Sequence, residues 1–387
     1  MMNQIKINTV NLRTANKLFA VFYNERTPLY VWGKPSTAKT SSIKQFAMQK
    51  AKELGERYSE EEFGEGVFTC KTITLSQMDS PDLRGMPCVS VDKNGKEVTK
   101  FIPTEELPRE GHGILLFDEL NNGDETTLKA AYQIILDGAY GNLPVVKDKD
   151  GKDAFWRVAA SNTEDDFCNT TPLPLALLRR FSHILVEPDA EEVINYFINQ
   201  NEDSRVIGYL KAYPTDLFPK EWDEKLLLNK ANPFPSQWQN VSKLIKNLKN
   251  NDPIIMDIVS SCVGQGVAGK FVAFIKTANK INWVNLYKNT TEEMQKLKKD
   301  EQRVSLMYAL MSEVAMAWKL SKPVKDGNKT IKFNDKIVID VILELEKELQ
   351  LAFMSMLNTI NKRKFITLAS EDKKLNEVLK DLGNLIY

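Results

Sequence analysis

The strongest indication of the fold lies in residues 33–40, Gly33-Lys34-Pro35-Ser36-Thr37-Ala38-Lys39-Thr40. It matches the phosphate-binding pattern GxxxxGK[ST] at every position but one, because Ala38 replaces the second glycine. The apolar run at 29–32 predicts a strand before it, and helical spacing of apolar residues at 41–54 predicts a helix after it. A strand, a loop and a helix in this order place backbone N–H groups around an anion at the helix N-terminus.

The loop therefore predicts a nucleotide-binding site that uses all eight residues from 33 to 40. Lys39 is expected to reach the β- and γ-phosphates, and the Thr40 hydroxyl is expected to hold Mg²⁺. Ala38 is small enough for the loop if its backbone stays at negative φ, since positive φ favours glycine. A chance near-match in a surface loop is the alternative, and the flanking strand and helix argue against it.

Five apolar runs predict the strands of one sheet, at 29–32, 67–75, 114–117, 157–160 and 183–186. Because they are this apolar and this widely spaced, they predict an α/β fold with a parallel sheet flanked by helices. After Pro188 the pattern becomes all-helical, with helices predicted at 190–199 and 237–248. One more amphipathic helix is predicted from six apolar residues at 4-3-4-3-4 spacing: Val338, Ile342, Leu345, Leu349, Ala352 and Met356.

Polar, turn-rich segments interrupt this pattern at 85–108 and 138–156, and a third at 321–330 predicts a surface connection. The first contains Asp92-Lys93-Asn94-Gly95 between β-prone runs, and the second contains Lys149-Asp150-Gly151 in the same arrangement. Both of these segments predict hairpins. Ordinary surface hairpins and functional inserts both fit the sequence.

Two acidic residues, Asp118 and Glu119, follow the apolar strand at 114–117. Asp118 is expected to bind the nucleotide's Mg²⁺ shell through water, and Glu119 to orient and polarise the attacking water. A buried strand with two carboxylates on its exit turn is the alternative. The phosphate-binding loop about 80 residues earlier favours the catalytic interpretation.

Two further polar positions complete the predicted catalytic set. Asn162 follows the fourth predicted strand, where its side chain can hydrogen-bond the γ-phosphate or the water; an Asn that caps a turn is the alternative. Arg180 precedes the fifth strand and is predicted to act as an arginine finger on a neighbouring subunit, with Arg179 as second choice. A surface salt bridge is the alternative for either arginine.

Composition disfavours several classes of function. The 387 residues contain 52 Lys plus Arg and 52 Asp plus Glu, whereas a dedicated nucleic-acid binder usually carries a basic excess. The sequence has no apolar run of about 18 residues, so no membrane span is predicted, and the first residues do not resemble a secretory signal. The four cysteines and two histidines are scattered and predict no metal site or disulfide, so we expect a cytoplasmic protein. The length of the chain predicts two or three domains.

Taken together, these motifs resemble the MoxR-like branch of the AAA+ ATPases over roughly residues 15–285. The matching stretches are Gly33 to Thr40, Gln77-Met78-Asp79-Ser80-Pro81-Asp82-Leu83-Arg84-Gly85-Met86-Pro87, Phe117-Asp118-Glu119-Leu120-Asn121-Asn122, Ala131-Tyr132-Gln133-Ile134-Ile135-Leu136-Asp137-Gly138, Ala159-Ala160-Ser161-Asn162, Leu178-Arg179-Arg180-Phe181-Ser182-His183 and Pro235-Ser236-Gln237-Trp238. Each motif is weak or moderate alone, and the set is specific.

The resemblance implies a P-loop AAA+ nucleotide-binding domain at 1–187, with inserts at 85–108 and 138–156 that face the pore or the partner. It implies a helical lid at 188–285 and leaves 286–387 as a C-terminal helical domain that matches no family. Such proteins usually form homo-oligomeric, commonly hexameric, rings with ATP between subunits. They commonly act as remodelling or maturation chaperones together with a von Willebrand factor A domain protein.

One departure from the family lies in the predicted lid. The family usually has an arginine where Gln237 stands, and Gln237 can hydrogen-bond a phosphate but carries no charge. We include Gln237 among the expected nucleotide-binding residues.

Three functions fit these expectations. The leading one is a ring-shaped, Mg²⁺-dependent ATPase that remodels a protein. The second is a nucleic-acid motor, which the zero net charge and the lack of an aromatic-basic cluster disfavour. The third is a nucleotide-binding switch with little turnover, which Ala38 and Gln237 favour and the Asp118-Glu119 pair disfavours.

Overall fold

The computed structural model describes residues 7–35, 37–102, 104–139, 146–163, 173–220, 230–326 and 329–383. Two compact units divide the chain, Met1–Asp189 and Ala190–Tyr387. The first unit is α/β and contains the following elements: β1 (Asn8–Val10), α1 (Leu12–Asn24), β2 (Leu29–Gly33), α2 (Lys39–Leu54), β3 (Arg57–Ser59), β4 (Val67–Thr74), α3 (Ser80–Arg84), β5 (Met86–Val91), β6 (Glu97–Ile102), β7 (His112–Asp118), α4 (Glu125–Asp137), β8 (Phe155–Ser161), α5 (Leu175–Leu178) and β9 (Ser182–Val186).

Seven of these strands form one parallel sheet in the order β1-β9-β2-β8-β7-β4-β3. The five runs predicted as strands are β2, β4, β7, β8 and β9. Two short strands, β1 and β3, extend the sheet at its edges and were not predicted, because three residues give too little pattern to recognise.

Side chains alternate between the two faces of this sheet because the strand period is two residues. On one face, Val31 and Ile114 pack with helices α1 and α2 in one buried cluster. On the other face, Tyr30 and Leu115 pack with α4 in a second cluster. Helices therefore cover both faces, and the predicted α/β class, a parallel sheet flanked by helices, is confirmed.

Both turn-rich segments within the first unit contain antiparallel pairing. Strands β5 and β6 pair around the Asp92–Gly95 turn, and Val89 on this ribbon is 76% exposed. In the second segment, a single bridge joins Lys147 to Asp153, while 140–145 lie outside the described residues.

The second unit is built on helices, in agreement with the change of pattern after Pro188. Its described elements are α6 (Ala190–Asn199), α7 (Ser204–Ala212), α8 (Pro235–Ile245), α9 (Ile254–Val263), α10 (Gln265–Thr277), α11 (Trp283–Lys288), α12 (Thr290–Lys298), α13 (Arg303–Leu320), β10 (Val324–Asp326), β11 (Lys329–Ile331), α14 (Lys336–Glu344), α15 (Lys347–Glu371) and α16 (Lys373–Gly383). The segment predicted as a surface connection thus contains the β10/β11 ribbon. One buried cluster runs through this unit from Val193 to Leu375.

The single amphipathic helix predicted from Val338 to Met356 is wrong. The chain forms two helices instead, because Leu345 leaves the helical region at φ −79° and ψ 152°. Leu345 is nevertheless buried, as are Val338 and Met356. The apolar spacing therefore predicted correctly that these residues are buried, but not that the helix ends between them.

Cys70 and Cys262 are buried, whereas Cys88 on β5 is only partly buried and Cys168 lies outside the described residues. Within the described ranges, no helix combines the length and apolar character needed to cross a membrane.

Gly113 gives a direct test of the β4/β7 pairing. A Cβ atom at this position would lie 1.9 Å from the carbonyl oxygen of Thr69, its partner in the register, and Gly113 has φ +150°. We expect Gly113→Ala to lower the free energy of unfolding by roughly 3 kcal/mol or more, measured by urea unfolding. The control is Gly269→Ala on the exposed side of α10, where a Cβ meets nothing within 4 Å and stability should rise by up to about 1 kcal/mol. Equal effects of the two changes would contradict the register.

Candidate functional site

The candidate site lies where the carboxyl ends of three neighbouring strands meet. Strand β2 ends at Gly33, β7 ends at Asp118, and β8 ends at Ser161 and is followed by Asn162. Since β8 lies between β2 and β7 in a parallel sheet, these ends share one edge. In open α/β sheets this edge is where ligands bind.

The loop after β2 leads directly into the N-terminus of α2, as predicted. Thr37 donates from its hydroxyl to the carbonyl oxygen of Lys34 at 2.8 Å, and Ser42 donates to the carbonyl oxygen of Ala38 at 2.6 Å. The first bond spans Pro35, and the second lies at the first turn of α2. Ser36 lies outside the described residues.

The backbone conformation of Ala38 differs from the one that the sequence predicted. Its backbone has φ 59° and ψ 24°, the left-handed conformation, and not the negative φ that the alanine was expected to require. An L-residue pays roughly 1–2 kcal/mol for this conformation, whereas glycine adopts it freely. The loop therefore keeps the shape that a glycine at this position would favour, at an energetic cost to this chain.

Lys39 is buried and its ammonium group bridges the loop and strand β8. It donates to the carbonyl oxygens of Gly33 at 2.6 Å and Lys34 at 2.8 Å, and to Oδ1 of Asn162 at 3.0 Å. The predicted phosphate-binding lysine and the predicted sensor asparagine are thus in direct contact. A positive charge held among backbone oxygens at a helix N-terminus is suited to bind phosphate oxygens.

Thr40 and Asp118 form the second contact across the site. The Thr40 hydroxyl donates to Oδ2 of Asp118 at 2.9 Å, and the backbone N–H of Glu119 donates to Oδ1 of Asp118 at 3.2 Å. Burial raises the pKa of Asp118, while these two hydrogen bonds and the Lys39 charge oppose that rise. A carboxyl whose pKa is raised by folding destabilises the folded state once it ionises, and a bound cation would offset that cost.

The donor set at Thr40 and Asp118 fits Mg²⁺. One hydroxyl and one carboxylate are oxygen ligands, and Mg²⁺ in nucleotide sites uses one or two protein ligands together with phosphates and water. Among the described residues, no cluster of three or more His, Cys, Asp or Glu side chains suits a metal held by protein alone.

Glu119 is half-buried and also adopts the left-handed conformation, at φ 52° and ψ 41°. Its Oε2 accepts a hydrogen bond of 2.9 Å from the hydroxyl of Ser76, which follows strand β4. Backbone strain of this kind persists only where the surrounding structure fixes it, and it is frequent at functional sites. Ser76 was not predicted, because a serine after a strand has no distinguishing pattern.

A buried polar network fixes the end of β8, and the sequence analysis missed it. Asn121 donates from Nδ2 to the carbonyl oxygen of Asn162 at 3.1 Å, and its backbone N–H points to the Ser161 hydroxyl at 3.4 Å. Tyr30 donates to the same hydroxyl at 2.9 Å. The turn that carries Glu119 is therefore tied to the residue that contacts Lys39.

Arg179 and Arg180, the predicted arginine-finger candidates, make no described polar contact with this group. Arg179 and Arg180 follow α5, and both side chains are exposed. Neither guanidinium makes a hydrogen bond or ion pair to another residue that the structure describes, so the salt-bridge alternative is not observed there. Gln237 is half-buried on α8 of the second unit.

Comparisons with known proteins give only distant likenesses. No family model and no curated protein matches the sequence. NtrX from Brucella abortus in complex with ADP is 12% identical with TM-score 0.35, and the match covers 92% of this chain and 67% of the NtrX chain. A putative ATPase from Cytophaga hutchinsonii is 13% identical with TM-score 0.27, and the match covers 89% of this chain and 75% of that protein. The Thermotoga maritima RuvB Holliday junction branch migration motor is 12% identical with TM-score 0.32, and the match covers 87% of this chain and 94% of that protein. At these TM-scores the likenesses establish no family and no activity.

The class of protein is defined by the fold and the site themselves. A parallel sheet carries a loop of the GxxxxGK[ST] type between a strand and a helix, with a lysine, a hydroxyl and a carboxylate close together beside it. This arrangement is that of the P-loop proteins.

Ala38→Gly tests the strained loop. We expect the free energy of unfolding to rise by about 0.5–1 kcal/mol, because relief of the left-handed strain exceeds the added chain entropy of glycine. Ala20→Gly inside helix α1 is the control, and it should destabilise by about 1 kcal/mol. Both are measured by urea unfolding; a loss of stability in Ala38→Gly would contradict the left-handed backbone.

Asn121→Asp tests the buried network by removing only the amide donor. A carboxylate oxygen would then face the Asn162 carbonyl oxygen, so we expect a loss of about 1–3 kcal/mol in unfolding free energy. Asn94→Asp, the same change in the exposed β5/β6 turn, should stay within about 0.5 kcal/mol. If the two variants unfold alike, Asn121 does not hold the end of β8.

Proposed function

We propose that this protein is a Mg²⁺-dependent ATPase of the AAA+ type that hydrolyses ATP to ADP and phosphate. The observation that carries the proposal is the chain of contacts from Lys39 to Asn162 and from Thr40 to Asp118 at one sheet edge. It gathers a phosphate-binding cation, a magnesium-binding pair and a carboxylate next to them within one site.

Each of these residues has a role in the proposed reaction. Residues 33–40 wrap the phosphates, Lys39 neutralises the β- and γ-phosphate oxygens, and Asn162 orients the γ-phosphate or the water. Thr40 and Asp118 hold Mg²⁺, which would neutralise charge that develops on the phosphates. Glu119 accepts a proton from the attacking water. The oxygen of that water forms the new bond to the γ-phosphorus as the bond between this phosphorus and the ADP oxygen breaks.

Arg180, with Arg179 as alternative, is proposed to complete the site of a neighbouring subunit. Both guanidinium groups are exposed and make no described polar contact, so they remain available to a second chain. An arginine supplied by a neighbour stabilises charge on the transferring phosphoryl group. This role requires a ring or another oligomer, and the resemblance favours a hexamer.

Several finer assignments rest on the resemblance: a MoxR-like remodelling chaperone, a von Willebrand factor A domain partner, and a lid at 188–285 with Gln237 among the nucleotide-binding residues. The scattered cysteines support a cytoplasmic location, and 286–387, which matches no family, is proposed as a separate helical domain. The β5/β6 ribbon is the proposed partner-facing insert, and its exposed Val89 and Val91 are consistent with that use.

Glu119→Gln is the first test of hydrolysis. The amide keeps the size of the side chain and cannot accept the proton, so we expect phosphate release to fall about a hundredfold or more while ATP affinity is kept. Lys39→Ala is the comparison, and it should weaken nucleotide binding itself. Phosphate release and binding of a fluorescent ATP analogue are the two measurements.

The outcomes separate the competing functions. Wild-type release no faster than that of Glu119→Gln, with ATP still bound, would establish the switch and end the enzyme proposal. Stimulation by DNA or RNA would favour a nucleic-acid motor. Unchanged affinity in Lys39→Ala would show that the loop does not bind the nucleotide.

A further inference from the structure

His183 on β9 connects the strand that leads into the phosphate loop with the turn that carries the two arginines. Nε1 of Trp32 donates to Nδ1 of His183 at 3.0 Å, and Nε2 of His183 lies 2.8 Å from the carbonyl oxygen of Leu178. An indole only donates, so Nδ1 is the acceptor and Nε2 carries the proton that is donated to Leu178. Both ring nitrogens are therefore used, and the imidazole has one defined tautomer.

Packing holds the imidazole in this orientation. Its ring lies nearly parallel to that of Trp32, with an interplanar angle of 21°, and Trp32 in turn stacks on Tyr30 at 3.9 Å between centroids. Tyr30 is the register partner of His183 in the β2/β9 pair. Trp32 is the last residue before Gly33, so the phosphate loop begins one residue from this contact.

The carbonyl that His183 holds belongs to the end of α5. A helix end leaves its last carbonyl oxygens without helical partners, and this one receives the imidazole N–H together with the backbone N–H of Phe181 at 3.2 Å. Leu177 and Phe181 are buried against the sheet on either side. Apolar packing thus holds the turn against the sheet, and the bond from His183 adds a directional side-chain contact to the backbone hydrogen bonds of the turn.

We propose that His183 is a positioning residue for the arginines, aiming Arg179 and Arg180 at the nucleotide site of the neighbouring subunit. The inference rests on the proposed function, because it requires an arginine that acts on a second chain. Arg179 and Arg180 directly follow the residue whose carbonyl is held. A turn that rotates about its apolar anchors would displace a guanidinium at the end of a long side chain by more than an ångström, and such a displacement costs about a hundredfold in rate.

The test separates the arginine donor from the hydrolysing subunit. The donor is Glu119→Gln, which keeps its arginines and has no turnover of its own. The acceptor carries Arg179→Ala and Arg180→Ala with an intact Glu119. Mixed in ATP at ring-forming concentration, the pair should release phosphate although neither does so alone, because the donor's arginines complete the acceptor's sites.

His183→Ala is then added to the donor only. We expect the recovered phosphate release to fall roughly tenfold to a hundredfold. His183→Gln in the donor subunit keeps one hydrogen-bond donor and one acceptor in the side chain, so it should restore part of the phosphate release. Trp32→Phe keeps the ring stack but removes the bond to Nδ1, and should lower recovery less than His183→Ala does.

The matched control uses the other histidine. His112 lies at the opposite end of the sheet, at the start of β7, where Nε2 pairs with Glu56 at 2.7 Å. His112→Ala in the donor should leave recovery unchanged. Each donor's melting temperature and ATP-analogue affinity are measured, so that a folding or binding defect is recognised; if His183→Ala does not fold, His183→Gln against Trp32→Phe decides.

The results have distinct meanings. Full recovery with a folded His183→Ala donor overturns the positioning role. A loss that matches that of His112→Ala, or one explained by weakened ATP binding in the donor, also overturns it. No recovery even with the Glu119→Gln donor shows that no arginine acts between subunits, and the inference then falls with that part of the proposed function.

Discussion

The parallel order of β2, β8 and β7 is the constraint on which the site depends. Strands that run the same way end at the same edge, so a loop, an asparagine and two carboxylates far apart in sequence meet there. Helix α2, which follows the loop after β2, makes both contacts: Lys39 bonds to Asn162 just after β8, and Thr40 bonds to Asp118 at the end of β7. Reversal of any one strand would separate Lys39 and Thr40 from Asn162 or Asp118.

Two non-glycine residues at this edge, Ala38 and Glu119, adopt left-handed backbones. Each conformation costs free energy, and the packing of α1, α2 and α4 on the two faces of the sheet supplies the rigidity that keeps them. Ala38 lies at the turn that leads into the N-terminus of α2. The Glu119 backbone turns its side chain towards Ser76. At position 38 a glycine would adopt the same left-handed backbone without this cost.

Sequence reasoning recovered what depends on local pattern and missed what depends on tertiary contact. The strand, loop and helix around residues 33–40 and the apolar strands of the sheet carry their own periodicity, and the structure confirms them. The φ of Ala38 and the break at Leu345 were predicted wrongly, because neighbouring packing decides a backbone angle that side-chain type leaves open. The contacts of Ser76 with Glu119, Asn121 with Asn162 and His183 with Trp32 were not predicted, since these partners are distant in sequence and the residue types are common.

Phosphate release by the wild-type protein, measured in Mg²⁺ and ATP across a range of protein concentrations, tests the central claim most directly. A site completed by a neighbour's arginine predicts release per subunit that rises steeply as the chains assemble and then levels off, and that disappears when Mg²⁺ is chelated. Release at background level at every concentration, including those at which an oligomer is seen, would contradict the account.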